Sequence, residues 1–328
     1  MTVIKSKAIR FHQTGGPEVL RWEEVSLPEL QANEARVKHH AAGLNFIDIY
    51  HRIGMYPLPL PSGIGIEGAG VVEAVGSAVT ELQAGDRVAY AGGPLGAYSE
   101  MRNIPADRLV KLPDAIDFKT GAAMMLQGMT AQYLLRKTYC VQAGDTILIH
   151  AAAGGVGLIM CQWAKALGAT VIGTVGSDAK AALAKAHGCD HAIVYTRENF
   201  TERVKAISNG AGVPVVYDSI GRDTFMGSLD CLRPFGMMVS FGSASGPVPP
   251  FDLNILAPKG SLFVTRPTIV TYTAKRADLL QSAKELFEIV ASGKVKIEVN
   301  QTYALKDAAA AQIDLAARKT TGSTVLLP

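Results

Sequence analysis

Cysteine is scarce in this chain, and what there is does not cluster. The four cysteines (Cys140, Cys161, Cys189, Cys231) include no C-x-x-C pair, which argues against a zinc cluster or a disulfide framework. They are expected as free thiols, with Cys161 a small core residue. Charge is thin as well. Asp, Glu, Lys and Arg make up 19% of the residues, the net charge is +3, and no run of basic residues reaches three. So small and dispersed a balance gives no footprint for nucleic acid or for an anionic membrane surface. No apolar stretch reaches the roughly 18 residues of a spanning helix. The opening Met-Thr-Val-Ile-Lys-Ser-Lys lacks a signal-peptide core. A cytoplasmic, soluble protein is expected.

What is present is a 328-residue chain, 48% hydrophobic with 33 glycines, enough for two globular domains. Its centre is His150-Ala151-Ala152-Ala153-Gly154-Gly155-Val156-Gly157. The apolar run Thr146-Ile147-Leu148-Ile149 before it predicts a strand buried on both faces, and residues 158–167 after it predict a helix stopped by Gly168. The dinucleotide fingerprint G-x-G-x-x-G falls on Ala152, Gly154 and Gly157, its first glycine replaced by alanine. Such turns also occur for packing alone. The context decides: strand 170–174, helix 178–187 and strand 192–195 complete a βαβαβ rhythm. Helix 200–208, strand 213–218, helix 224–232, and strands 237–241 and 262–265 extend it to a doubly wound sheet.

Residues 1–124 differ. Short alternating runs are punctuated by Gly15-Gly16-Pro17, Pro57 to Pro61 and Gly92-Gly93-Pro94, which predicts a β-rich unit. Residues 118–136 are rich in helix formers and lead into the cofactor domain. Beyond Pro267, helix 276–291, strand 295–299, helix 306–318 and strand 323–327 are too few to stand alone. The expected layout is residues 1–124, a Rossmann domain at 125–266, and a return segment at 267–328 that completes the first part.

The second Rossmann strand ends Ile172-Gly173-Thr174-Val175-Gly176, without the carboxylate that holds the ribose hydroxyls of NAD. Asp178 is better explained as a first-turn residue after an N-cap at Ser177. Lys180 is either a solvated lysine or a partner of a 2′-phosphate. NADPH is favoured over NADH.

With these residues assembled, the chain resembles the zinc-independent quinone oxidoreductases of the medium-chain dehydrogenase/reductase superfamily over essentially its whole length. The likeness rests on Gly43-Leu44-Asn45-Phe46-Ile47-Asp48-Ile49-Tyr50, on residues 151–157, on Val216-Tyr217-Asp218-Ser219-Ile220-Gly221, on Val239-Ser240-Phe241-Gly242 and on Val264-Thr265-Arg266-Pro267. It implies an α/β fold, a Rossmann doubly wound parallel sheet inserted into a GroES-like β-rich catalytic domain, with a cleft between the domains and commonly a homodimer. It also implies that Asn45 and Tyr50 lie near the nicotinamide, with Tyr133 close by. Gly154, Gly155, Val156 and Gly157 would meet the pyrophosphate. Gly176, Lys180, Tyr195 and Arg318 would surround the 2′-phosphate, and Ser219, Phe241, Gly242, Ser243, Arg266 and Pro267 would line the cofactor further along. Three of these have plainer readings: Tyr195 as a core-edge aromatic, Phe241 as core, and Arg318 as a complement to a helix dipole.

Zinc-dependent members of the superfamily hold their metal with a thiolate and an imidazole. Asn45 and Ile66 stand at those positions, so no metal is expected, and Glu67 is read as structural. His39, His40 and His51 are read as ordinary surface or core histidines. With no Lewis acid, the acceptor must take a hydride readily. The expected reaction is reduction of a quinone by NADPH in the cleft, with Tyr50 or solvent supplying the proton. An NADPH-dependent reductase of α,β-unsaturated ketones or aldehydes is the nearest rival, and a structural or RNA-binding protein is a more distant one.

Overall fold

Continuous apolar runs form the middle of one sheet, where both faces are covered and no alternation is needed. In the computed structural model, which describes residues 3–328, the strands Thr146–Ile149, Thr170–Val175 and Val213–Asp218 have this character. They lie within a six-stranded sheet in the order His191–Val194, Thr170–Val175, Thr146–Ile149, Val213–Asp218, Leu232–Ser240, Phe263–Thr265. Every pairing is parallel. Numbered within this sheet, the order is 3-2-1-4-5-6, the doubly wound arrangement whose first strand feeds the ligand-binding turn. On one side the core gathers Leu148, Ile172, Val216, Phe225 and Met238.

This sheet belongs to a unit made of Thr130–Tyr272 with Glu288–Lys296; the other unit takes the chain up to Met129 with Thr273–Phe287 and Ile297–Pro328. The second sheet is mostly antiparallel and seven-stranded. Its path is Val299–Ala304, Ser323–Leu327, Glu34–Leu44, Glu67–Val75, Arg87–Ala91, Val110–Lys111, with Met101–Pro105 also paired to Glu34–Leu44. The chain's last strand thus lies beside Leu44, Gly43 and Ala42 in register. A three-stranded sheet of Arg21–Ser26, Lys5–Phe11 and Ser62–Gly63 completes the unit.

Several elements depart from the sequence-based expectation for identifiable reasons. The helix after the glycine turn starts at Gly155 rather than Leu158, because the glycines themselves form its first turn. Helix 224–232 ends at Asp230, and the next strand already begins at Leu232. That strand then makes an excursion, with Val213 opposite Leu232 but Val215 opposite Met237, and Phe235 in the left-handed region at φ 60°. Pro214, which lacks an N–H, sits at this irregularity. No strand forms at 295–298. The N–H and carbonyl of Lys296 are taken by the side-chain amide of Gln162, and the strand runs Val299–Ala304 instead. Helix 306–318 shortens to Ala308–Ala316 behind a 3₁₀ turn at Leu305–Asp307.

Candidate active site

In the Rossmann unit the chain leaves Ile149 and turns sharply, with Ala151 at φ 53°, a conformation rarely adopted without glycine. The turn is held by Ala152 N–H donating to Thr174 O (3.0 Å) and Gly154 N–H donating to Ala151 O (2.9 Å). Gly154 is the extended N-cap of helix Gly155–Ala166, and no side chain caps it. The first-turn N–H groups therefore have no intrahelical acceptor and no capping oxygen, which suits a bound anion. A Cβ on Gly157 would lie 2.3 Å from Ala151 O, so only glycine fits there. Alanine at the first fingerprint position is accommodated by its neighbour: a Cβ on Gly173 would fall 2.6 Å from the Ala152 Cβ, so the missing glycine is supplied by the adjacent strand.

His150, the residue before the turn, has partners that the fingerprint pattern does not announce. It is buried, with Nδ1 2.8 Å from Thr174 Oγ1 and Nε2 2.9 Å from Ser228 Oγ. Ser228 and Thr224 in turn donate to Asp218 Oδ2, whose other oxygen accepts from the N–H groups of Ile220 and Gly221. Burial pushes the His150 pKa down, against the opposing pull of Asp218. This network ties the fingerprint turn to the loop holding Ser219. A lone polar residue ending an aliphatic strand was the available signal.

The second strand's end assembles another group. A Cβ on Gly176 would lie 3.0 Å from the Tyr195 hydroxyl, so these two predicted residues adjoin, and Tyr195 at 40% exposure is no core aromatic. Ser177 Oγ accepts from Lys180 N–H at the start of helix Asp178–Ala186. Asp178 is clasped by Arg197 through two bonds of 2.7 and 2.5 Å.

Further along the sheet, a Cβ on Gly242 would lie 2.5 Å from Ser219 O, and one on Gly221 3.2 Å from Ser243 Cα, so the loops at 219–221 and 242–243 interlock. Phe241 is only half-buried; its N–H donates to Asp218 O. Arg266, followed by Pro267, donates to Ser240 O at 2.9 Å. Tyr133 stacks on Tyr272 with centroids 4.4 Å apart, a partner no local pattern announced. Burial pushes its phenol pKa up.

In the β-rich unit, Asn45 ends strand Glu34–Leu44 and caps helix Phe46–Arg52, sharing a capping box with Asp48. Its Nδ2 donates to Glu67 Oε2 at 2.6 Å, and its Oδ1 accepts from Gln127 Nε2 at 3.2 Å. Glu67 Oε1 accepts from Leu126 N–H, and Gln127 accepts from Ser323 of the last strand. A Cβ on Gly43 would lie 2.2 Å from Glu67 Oε2, so glycine there admits the carboxyl. Tyr50, on the same helix, is buried against Phe46 and Tyr56. Arg318 lies beyond helix Ala308–Ala316 at φ 59°, in the left-handed conformation that ends a helix.

Residues 31–114 match the family described as alcohol dehydrogenase GroES-like domain, and residues 155–288 match zinc-binding dehydrogenase. The chain is 56% identical to a quinone oxidoreductase of Pseudomonas aeruginosa, over 98% of this chain and 100% of the relative. It belongs to the quinone oxidoreductase family. It is 52% identical to the Escherichia coli quinone oxidoreductase whose crystal structure is complexed with NADPH, with a TM-score of 0.97 over 98% of this chain and 100% of that one. A 2-haloacrylate reductase of a Burkholderia species is 47% identical over 97% of this chain and 98% of its own length. Among the described residues, no three His, Cys, Asp or Glu side chains gather where they would hold a metal ion. Ile66, which the resemblance sets at the position of the zinc-ligating imidazole, is buried, and the adjacent Glu67 bonds the Asn45 amide.

Burial raises Glu67 to about 8 and Asp48 to about 7, each more strongly than its hydrogen bonds lower it. A carboxyl whose pKa is raised on folding stabilises the fold below its unfolded pKa, and that contribution is lost as pH rises through the folded value. The buried His39, lowered to about 4, works in the opposite direction, but only below the ordinary histidine range. Between pH 6.5 and 8.5, therefore, the melting temperature is expected to fall by about 5 °C. Glu67→Gln should flatten most of that slope in a calorimetric scan. A wild-type melting temperature that held level over this range would contradict the assignment of two buried acids with raised pKa values.

Proposed function

We propose that this protein is an NADPH-dependent quinone reductase that transfers a hydride without a metal. The observation that carries the reading is the near-superposition, at 52% identity, on a quinone oxidoreductase solved with NADPH. The chain's own residues fit that nucleotide. An uncapped helix start and the close approach at Gly157 suit the pyrophosphate, and Gly176, Lys180 and Tyr195, with no carboxylate ending the second strand, suit the 2′-phosphate. Arg318 is assigned to the same phosphate, and Ser219, Phe241, Gly242, Ser243, Arg266 and Pro267 to the rest of the nucleotide.

When bound, the nicotinamide supplies the hydride. The protein's part is to hold the donor and acceptor faces in register and to exclude water. Asn45, its amide fixed between Glu67 and Gln127, orients the nicotinamide end together with Tyr133, and the Tyr50 hydroxyl delivers the proton to the reduced acceptor. A second reading, reduction of activated alkenes, is favoured by the 47% identity to a 2-haloacrylate reductase. A cytoplasmic location fits four free cysteines, three of them buried.

NADPH oxidation should be followed with a panel of quinones and enones, with NADH in parallel. Quinones with NADPH should be turned over at least tenfold more efficiently than enones or NADH. A protein faster on enones is an alkene reductase, and one idle with NADPH refutes both readings. Tyr50→Phe should lower turnover by about tenfold or more; full turnover would relieve Tyr50 of any chemical role.

The same reading includes a homodimer. Strand Phe263–Thr265 pairs on one side only, at the rim of the sheet, and Phe263 is 56% exposed on it. An apolar open edge of this kind invites a second copy. Light scattering should give twice the 34.7 kDa chain mass, and Phe263→Asp should give the monomer. A monomeric wild type would rule the dimer out.

A further inference from the structure

Asp178 is the one carboxylate between Thr170 and Cys189, the stretch that follows the second Rossmann strand. In this fold a carboxylate at that strand's end accepts bonds from the adenosine ribose hydroxyls and repels a 2′-phosphate. Asp178 lies three residues past the strand, in the first turn of its helix, where the dipole already favours a negative charge. Yet both its oxygens are engaged by Arg197, with Nη1 donating to Oδ2 and Nη2 to Oδ1. This fork-to-fork geometry is specific, although the side chains of Asp178 and Arg197 are 74% and 57% exposed and a surface ion pair adds little stability.

Arg197 is delivered from the end of the third strand, two residues after Tyr195. The intervening Thr196 donates to Gly176 O at 3.4 Å, which fixes this segment against the second strand's end. We propose that Arg197 determines nucleotide choice by clasping Asp178, so that this carboxylate, beside the proposed 2′-phosphate seat, is neutralised and withheld from ribose hydroxyls. Asp178, Lys180 and Arg197 together carry one net positive charge. Without the arginine they carry none, and the carboxylate is released. The inference deepens the NADPH reading and rests on it.

The test is calorimetric titration of the full chain with NADP+ and with NAD+, for wild type, Arg197→Ala and the double variant Asp178→Asn/Arg197→Ala. Both positions are exposed, and circular dichroism should show each variant folded as wild type. Wild type should bind NADP+ more tightly than NAD+. Arg197→Ala should cut that preference by about five- to tenfold, less at high salt. The double variant regains the original net charge and should return to within about twofold of wild type. An unchanged preference in Arg197→Ala overturns the proposal. So does a double variant as unselective as the single one, since the guanidinium would then contact the phosphate itself. A wild type without preference for NADP+ would instead refute the NADPH reading, before any variant is compared.

Discussion

Everything in the Rossmann unit is arranged around one constraint: a helix must begin immediately above the end of a buried strand, with its first N–H groups facing outward. The space is so tight that Gly157 has no room for a methyl group against Ala151 O, and Ala151 itself is forced to a positive φ. Leaving donors bare at a helix start is unfavourable unless an anion or water takes them. The turn therefore suits a bound anion better than it serves its own stability. The His150–Ser228–Asp218 network beneath it carries that rigidity across the sheet to the loop at Ser219.

The β-rich unit solves a related problem with different chemistry. Where zinc-dependent relatives in the superfamily hold a metal, this chain has a buried amide–carboxyl pair, Asn45 and Glu67, braced by Leu126, Gln127 and Ser323. The brace draws on residues far apart in sequence, including the last strand. The return segment thus joins the brace: Ser323 is both a sheet residue paired with Val299 and a donor to Gln127.

How much of this was legible beforehand depended on the range of the interaction. Strands Thr146–Ile149 and Val213–Asp218 and helix Arg276–Ala291 fall where local composition put them, because continuous apolar runs and amphipathic periodicity need no distant partner. The strand expected at 295–299 failed because Gln162, more than a hundred residues earlier, takes the backbone of Lys296. In the candidate site, the turn was legible where a motif implies geometry, as at Gly154 to Gly157. Its polar supports were not. Nothing near Asp178 announces Arg197, nothing near Tyr133 announces Tyr272, and nothing near Glu67 announces the Asn45 amide that it holds.

The central claim is that backbone N–H groups at the start of helix Gly155–Ala166 hold the nucleotide's pyrophosphate. Gly155→Pro tests it with little collateral change, since proline is favoured at the first helical position and Gly154 is already extended, as a residue before proline must be. It deletes one donor and leaves the helix. Calorimetry should show NADPH affinity reduced by about tenfold or more, with the melting temperature of the ligand-free protein nearly unchanged. Undiminished NADPH affinity in a folded Gly155→Pro protein would contradict the claim.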